Sequence, residues 1–200
     1  MSLVDHEQIK RVIESTRAWW ELPRKTQFHH ILSQYITKMV RFSVSRKIRS
    51  NLYALLGDPY SQSLFNAILR DNVQCLLSCG LNNEQIDTLR IISNLVDEKD
   101  CLDNNLERIS GIVGVGAWTL KSIRLILDSD SDIFLYEDSY IRSRLAELYG
   151  VSSLTPTKAK QIGLEWTHRQ TDLSKFLWRI KKSGTDKIRR NAELERDDFL

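Results

Sequence analysis

The strongest constraint on this chain is the recurrence of its apolar residues at helical spacing, in short runs bounded by residues that start or stop helices. In DHEQIKRVIESTRAWW, Ile9, Val12, Ile13 and Trp20 share one helical face, and Pro23 closes the run. Thr26 is placed to cap TQFHHILSQYITKMV. In SVSRKIRSNLYALLG, Val44, Ile48, Leu52 and Leu55 line one face and Gly57 ends it. DPYSQSLFNAIL offers Asp58 as a cap with Pro59 at the first helical position. DNVQCLLSCG runs from Asp71 to Gly80, and Asn82 with Gln85 three residues on forms a capping box for the next helix. FLYEDSYIRSRLAELYG stops at Gly150, Thr155 and Pro156 open TPTKAKQIGLEW, and TDLSKFLWRIKK supplies a last helix. Strand-like alternation hardly occurs. The spacing predicts an all-α fold of about ten short helices with brief connections.

At 200 residues and 42% hydrophobic, the chain can bury a core as one domain or two intimate lobes. No apolar run approaches the length that spans a bilayer, so no membrane role is expected. The charged start MSLVDHEQIKRVIE argues against a signal peptide and for an intracellular chain. Cys75, Cys79 and Cys101 form no CxxC pair and lack a fourth ligand for zinc or an iron–sulfur cluster; they read as reduced core residues. The net charge of +3 is too small to prove nucleic-acid binding. Basic residues do cluster, as Arg41, Arg46, Lys47 and Arg49 in VRFSVSRKIR and again in RIKKSGTDKIRR, where the acidic ELERDDF offsets them. Asp128, Asp130 and Asp132 begin like a calcium loop. Ile133 then takes the glycine place and Ser139 the glutamate place, which leaves a surface loop. His29 and His30 have no partner at metal spacing and read as packed or exposed side chains.

The segment that carries chemistry is GIVGVGAWTLKSI. Leu106, Ile109 and Ile112 stand at helical spacing before it, and Leu120, Ile123 and Leu127 continue that spacing after it. One reading makes Gly114 and Gly116 simple helix punctuation. The other is a helix-hairpin-helix, in which Val115 tucks inward and backbone N–H groups at the next helix start hold a phosphate. Such a hairpin grips DNA without reading its sequence. Twenty residues past Trp118 stands Asp138, in FLYEDSYIRSRL. Locally it is an N-cap, and a capping carboxylate is ionised, fixed in direction and partly open. Those properties also suit a group that must face a developing cation.

Together, IVGVGAWT and FLYEDSYIRSRL resemble the helix-hairpin-helix DNA glycosylase superfamily, over roughly residues 26 to 180. The resemblance implies a two-lobed helical domain in which Gly114, Val115, Gly116 and Thr119 bind the DNA backbone. A monovalent cation on hairpin carbonyls is implied, with no catalytic metal and no cofactor. Asp138 is implied to support cleavage of the N-glycosidic bond. Where strand-nicking members carry a lysine nucleophile, this chain has Trp118, which implies a monofunctional enzyme that uses water. Trp118 and Trp178 look like the base-pocket walls of the alkyladenine (3-methyladenine) branch, and Met39 matches the residue wedged into the duplex. The chain departs from the family at Lys38, where glutamine is usual, at Ser122, where an aromatic is, and in WTHRQ up to Gln170, where the branch more often has proline and arginine after the tryptophan.

The expected organisation is one catalytic unit over 1–200. Lobe A runs from about 39 to 127 with the motif at 106–127, and lobe B joins 1–38 to 128–200. The expected partner is double-stranded DNA containing damaged bases, bound by a monomer in the cytoplasm and nucleoid or the nucleus. Two alternatives stay open: a glycosylase for uracil or mismatched bases, and a non-catalytic lesion-binding or DNA-binding protein.

Overall fold

The computed structural model describes residues 6–15, 25–128 and 130–180. Among them every regular element is a helix: α1 (His6–Ser15), α2 (Gln27–Met39), α3 (Phe42–Leu56), α4 (Gln62–Asp71), α5 (Gln74–Ser78), α6 (Asn83–Leu95), α7 (Leu102–Ser110), α8 (Ala117–Leu127), α9 (Ser139–Leu148), α10 (Pro156–Leu164) and α11 (Gln170–Arg179). Trp20, Pro23 and the basic and acidic stretches after Ile180 lie outside the described residues.

Capping chemistry explains where five of these helices begin. Thr26 accepts from the His29 N–H, and Asn82 and Gln85 close both bonds of a capping box. Thr155 accepts from the Lys158 N–H with Pro156 in the first turn, and Gly150 takes a left-handed φ of 64° after α9. Three local expectations fail. Asp71 ends α4 instead of opening the next helix, which starts only at Gln74. The helix after Gly57 starts at Gln62 under a Ser61 cap, because the Asp58 carboxylate is drawn away to pair with Lys25. On α3 the buried stripe is Ser45, Ile48, Leu52 and Leu56, while Val44 is 46% exposed. Of the cysteines, all free, Cys79 is buried and Cys101 is exposed.

The chain divides into two compact units, residues 24–129 and residues 1–23 with 130–200. The first boundary therefore falls at 24 rather than 39, and the reason is α2. Its Phe28, Ile31, Leu32, Tyr35 and Ile36 are buried in the same core as Ile48, Phe65, Leu89, Ile109 and Ile123. A helix with that much apolar surface stays with the core that covers it. In this unit α2 packs chiefly on α8 and α3. A fully buried Asn105 ties the start of α2 to the turn after α6, accepting from the Asp97 N–H and donating to Asp97 O and Gln27 Oε1.

The other unit packs α11 against α9 and α1, with α10 on α9. Its core includes Ile9, Ile13, Phe134, Leu135, Ile141, Leu145, Trp166, Phe176 and Leu177. Gly163 sits inside α10 because a Cβ there would lie 2.3 Å from Phe134 Cδ1. That close approach outweighs the roughly 1 kcal/mol that glycine costs a helix.

Candidate functional site

The hairpin between α7 and α8 is built as the spacing predicts. Ile112 N–H donates to Ile109 O and Val115 N–H to Ile112 O, and Val115 is buried in the core. Gly114 has φ 90°, and a Cβ there would meet Tyr35 Cε2 at 3.3 Å, so fold and backbone both require glycine. Gly116 is different. Its φ is −91°, a Cβ would meet nothing within 4 Å, and it is the N-cap of α8 with no side-chain cap bond. Serine, threonine or aspartate would cap that helix better. Gly116 brings no side chain to the N-terminus of α8, and the free space beside it leaves room for an external anion.

Thr119 enters this arrangement only through its backbone. Its side chain is 1% exposed and its hydroxyl has no hydrogen-bond partner among the described residues, so it faces the core and not a phosphate. Ser122 is likewise buried, its hydroxyl donating to Thr119 O, which removes it from any base-contacting surface.

Beside the hairpin, the end of α2 and the start of α8 converge. Met39 is 37% exposed, and its Sδ would lie 3.6 Å from a Cβ on Gly114. Lys38 places its ammonium 5.4 Å from the centre of the Trp118 ring. Val113, at the hairpin tip, is 87% exposed. The lysine over the indole was hidden from the sequence, since eighty residues separate 38 from 118. Lys121, one turn past Trp118, turns elsewhere: it lines a groove of about 310 Å3 with Asp103, Leu106, Glu107, Ser110, Leu120 and Arg124.

In the other unit Asp138 is the N-cap of α9. One carboxylate oxygen accepts from the Tyr140 and Ile141 N–H groups at 2.8 and 3.1 Å. The second accepts from the Trp178 indole at 3.4 Å. The aspartate is half-buried, at the positive end of the helix. Trp178, expected as a base-pocket wall, makes a contact that the sequence did not foretell: its polar edge steadies the carboxylate. Trp166 is a core residue, 2% exposed, with its indole donating to Tyr149. Burial pushes the Tyr149 phenol up to about 12.

The chain leading to Asp138 is held by a row of polar groups on α11. Thr171 donates to Ser131 O and accepts from the Ile133 N–H. Ser174 donates to Ile133 O and accepts from the Leu135 N–H. Trp178 completes the row at Asp138. These residues stand at i, i+3 and i+7, one helical face. Asp132 works from the opposite direction, accepting from the His168 and Gln170 N–H groups at the start of α11. The acidic stretch is therefore a clamp and not merely a surface loop. The polar i, i+3, i+7 spacing on α11 was visible in the sequence, but its partner was not.

Comparisons with protein-family models and with curated proteins give no match. Among solved structures, the chain is similar to a Schizosaccharomyces pombe 3-methyladenine DNA glycosylase in complex with abasic DNA. The TM-score is 0.68 at 16% identity, over 86% of this chain and 89% of that one. It is also similar to a 3-methyladenine DNA glycosylase from Archaeoglobus fulgidus, with a TM-score of 0.67 at 17% identity, over 86% of this chain and 68% of that one. The chain has the all-helical fold of these DNA glycosylases.

Proposed function

We propose that the protein is a monofunctional DNA glycosylase that excises alkylated purines such as 3-methyladenine in base excision repair. The observation that carries this reading is Asp138, a carboxylate fixed by two backbone N–H groups and an indole, on the fold of 3-methyladenine DNA glycosylases. The chemistry follows from what each group can do. A base stacked in a duplex is out of reach, so it must turn out at a cost of a few kcal/mol. Met39 in the duplex and the hairpin on the backbone offset that cost. An N-alkylated purine is cationic, stacks well on an indole such as Trp118, and leaves readily. The sugar left behind is oxocarbenium-like, and Asp138 stabilises it while water attacks the anomeric carbon.

Trp118 has no amine to attack the sugar, and Lys121 points into the groove with Asp103 and Glu107. The reaction therefore ends at an intact abasic strand. A monovalent cation at the hairpin would rest on backbone carbonyls, each of which has a second lone pair; the Ile112 and Gly116 oxygens already accept one N–H. Such an ion would bridge hairpin and phosphate. We place the protein, as a monomer, on double-stranded DNA containing damaged bases, in the nucleoid or nucleus.

The decisive experiment is base release from methylated, uracil-containing and undamaged duplexes. Wild-type protein should free methylated purines, and Asp138→Asn, which keeps a good N-cap, should lower release by orders of magnitude at near-normal stability and duplex affinity. Undiminished release by that variant would sink the reading, and release of uracil alone would move the protein to the other substrate class. On the same substrates borohydride should trap no adduct. A robust adduct lost in Lys121→Ala would make the protein a lyase.

A further inference from the structure

We propose that Lys38 is a cap on Trp118 which the DNA backbone draws off, so that duplex binding shifts the base-stacking face from mostly capped to open. This rests on the reading of Trp118 as a wall of the base pocket. Three observations lead to it. The Lys38 ammonium lies over the indole, 5.4 Å from the ring centre, and this ring is its sole ionic or aromatic partner among the described residues. Lys38 is also next in sequence to Met39, exposed beside the hairpin, so anything seated on Met39 and Gly114 is within reach of a lysine side chain. Finally, the first turn of α8, which carries Trp118, has no acidic residue to hold the ammonium there by charge.

The competing energies set the direction. An exposed cation–π contact favours the capped state by about two- to five-fold. A purine must displace the ammonium to use that face, and a cationic purine is in addition repelled by it. A phosphate oxygen is a stronger partner for an ammonium than an indole face, because it carries full charge and accepts a charge-assisted hydrogen bond. Duplex DNA on the hairpin therefore draws Lys38 off the ring. The same side chain opposes free bases in solution and helps bind DNA.

That double role gives effects of opposite sign in one variant. The probes are 7-methylguanosine in mildly acidic buffer, where its ring is cationic, and an undamaged duplex titrated at several salt concentrations. Lys38→Gln should bind the nucleoside two- to five-fold tighter or better. It should also bind the duplex more weakly, with a salt slope reduced by about one. Lys38→Arg keeps a cation that can cap the ring and meet a phosphate, so it should show neither the gain in nucleoside binding nor the loss of salt slope. Nucleoside binding that stays the same or weakens in Lys38→Gln overturns the cap. So does a salt slope that does not change. Trp118→Ala separates the two levels: it should lose the nucleoside while remaining folded. If instead it binds the nucleoside as wild type does, the base-wall reading fails and takes the cap with it.

Discussion

Gly114 and Gly116 stand two residues apart and are glycine for different reasons. At Gly114 the positive φ and the nearby Tyr35 ring exclude a side chain, so Gly114→Ala should cost about 1–2 kcal/mol in an unfolding titration. At Gly116 neither condition holds. Gly116→Asp should leave stability unchanged or slightly raised, because aspartate is a good N-cap. It should nonetheless weaken binding to any duplex, by placing a carboxylate where the proposed grip would hold a phosphate, and leave lesion preference intact. A Gly116→Asp protein that is folded and binds duplex as wild type does would refute the phosphate grip. Asp138 combines both kinds of reason in one residue, since it caps α9 and presents a carboxylate at the helix mouth.

At the scale of elements, α11 aligns the segment that delivers Asp138. Thr171→Val preserves volume but leaves the Ile133 N–H and the Ser131 carbonyl without their partner. The expected loss is about 1–3 kcal/mol of stability. Because the segment also sets the direction of the carboxylate, base release should fall by more than the fraction of unfolded protein accounts for. Duplex affinity, which we propose the hairpin carries, should change little. Measuring kcat and duplex Kd on the folded variant separates these effects, and an unchanged kcat would show that the row of hydroxyls serves stability alone.

For the molecule as a whole, acid is the condition that should expose its weak point. His29 is buried, its Nδ1 accepts from the Tyr60 N–H, and Tyr53 Oη lies 3.5 Å from its Nε2. Burial, helped by His30 and Lys25, lowers its pKa from 6.5 to about 4, against an opposing pull from Asp58. The unfolded chain therefore takes up the proton first as pH falls. The stability that depends on a neutral His29 is complete above about 6.5, declines below it, and is fully lost near 4. The total is up to about 3 kcal/mol. Chemical denaturation across that range should show the decline, and His29→Asn, which retains an acceptor but does not titrate, should flatten it.

The sequence by itself determined the helices, most of their caps and the hairpin, because these depend on residues within one or two turns of each other. It also singled out Asp138 and Trp118, since a cap and an indole are legible from their own neighbourhoods. It misplaced what depends on distant partners. Asp58 capped nothing because Lys25 took its carboxylate, Thr119 turned inward, and α2 joined the central core instead of the terminal unit. Only the tertiary structure brought Lys38 onto Trp118 and Trp178 onto Asp138. The first pair is separated by eighty residues and the second by forty. Local spacing fixes which face of a helix is polar or apolar, but chain packing decides what that face meets.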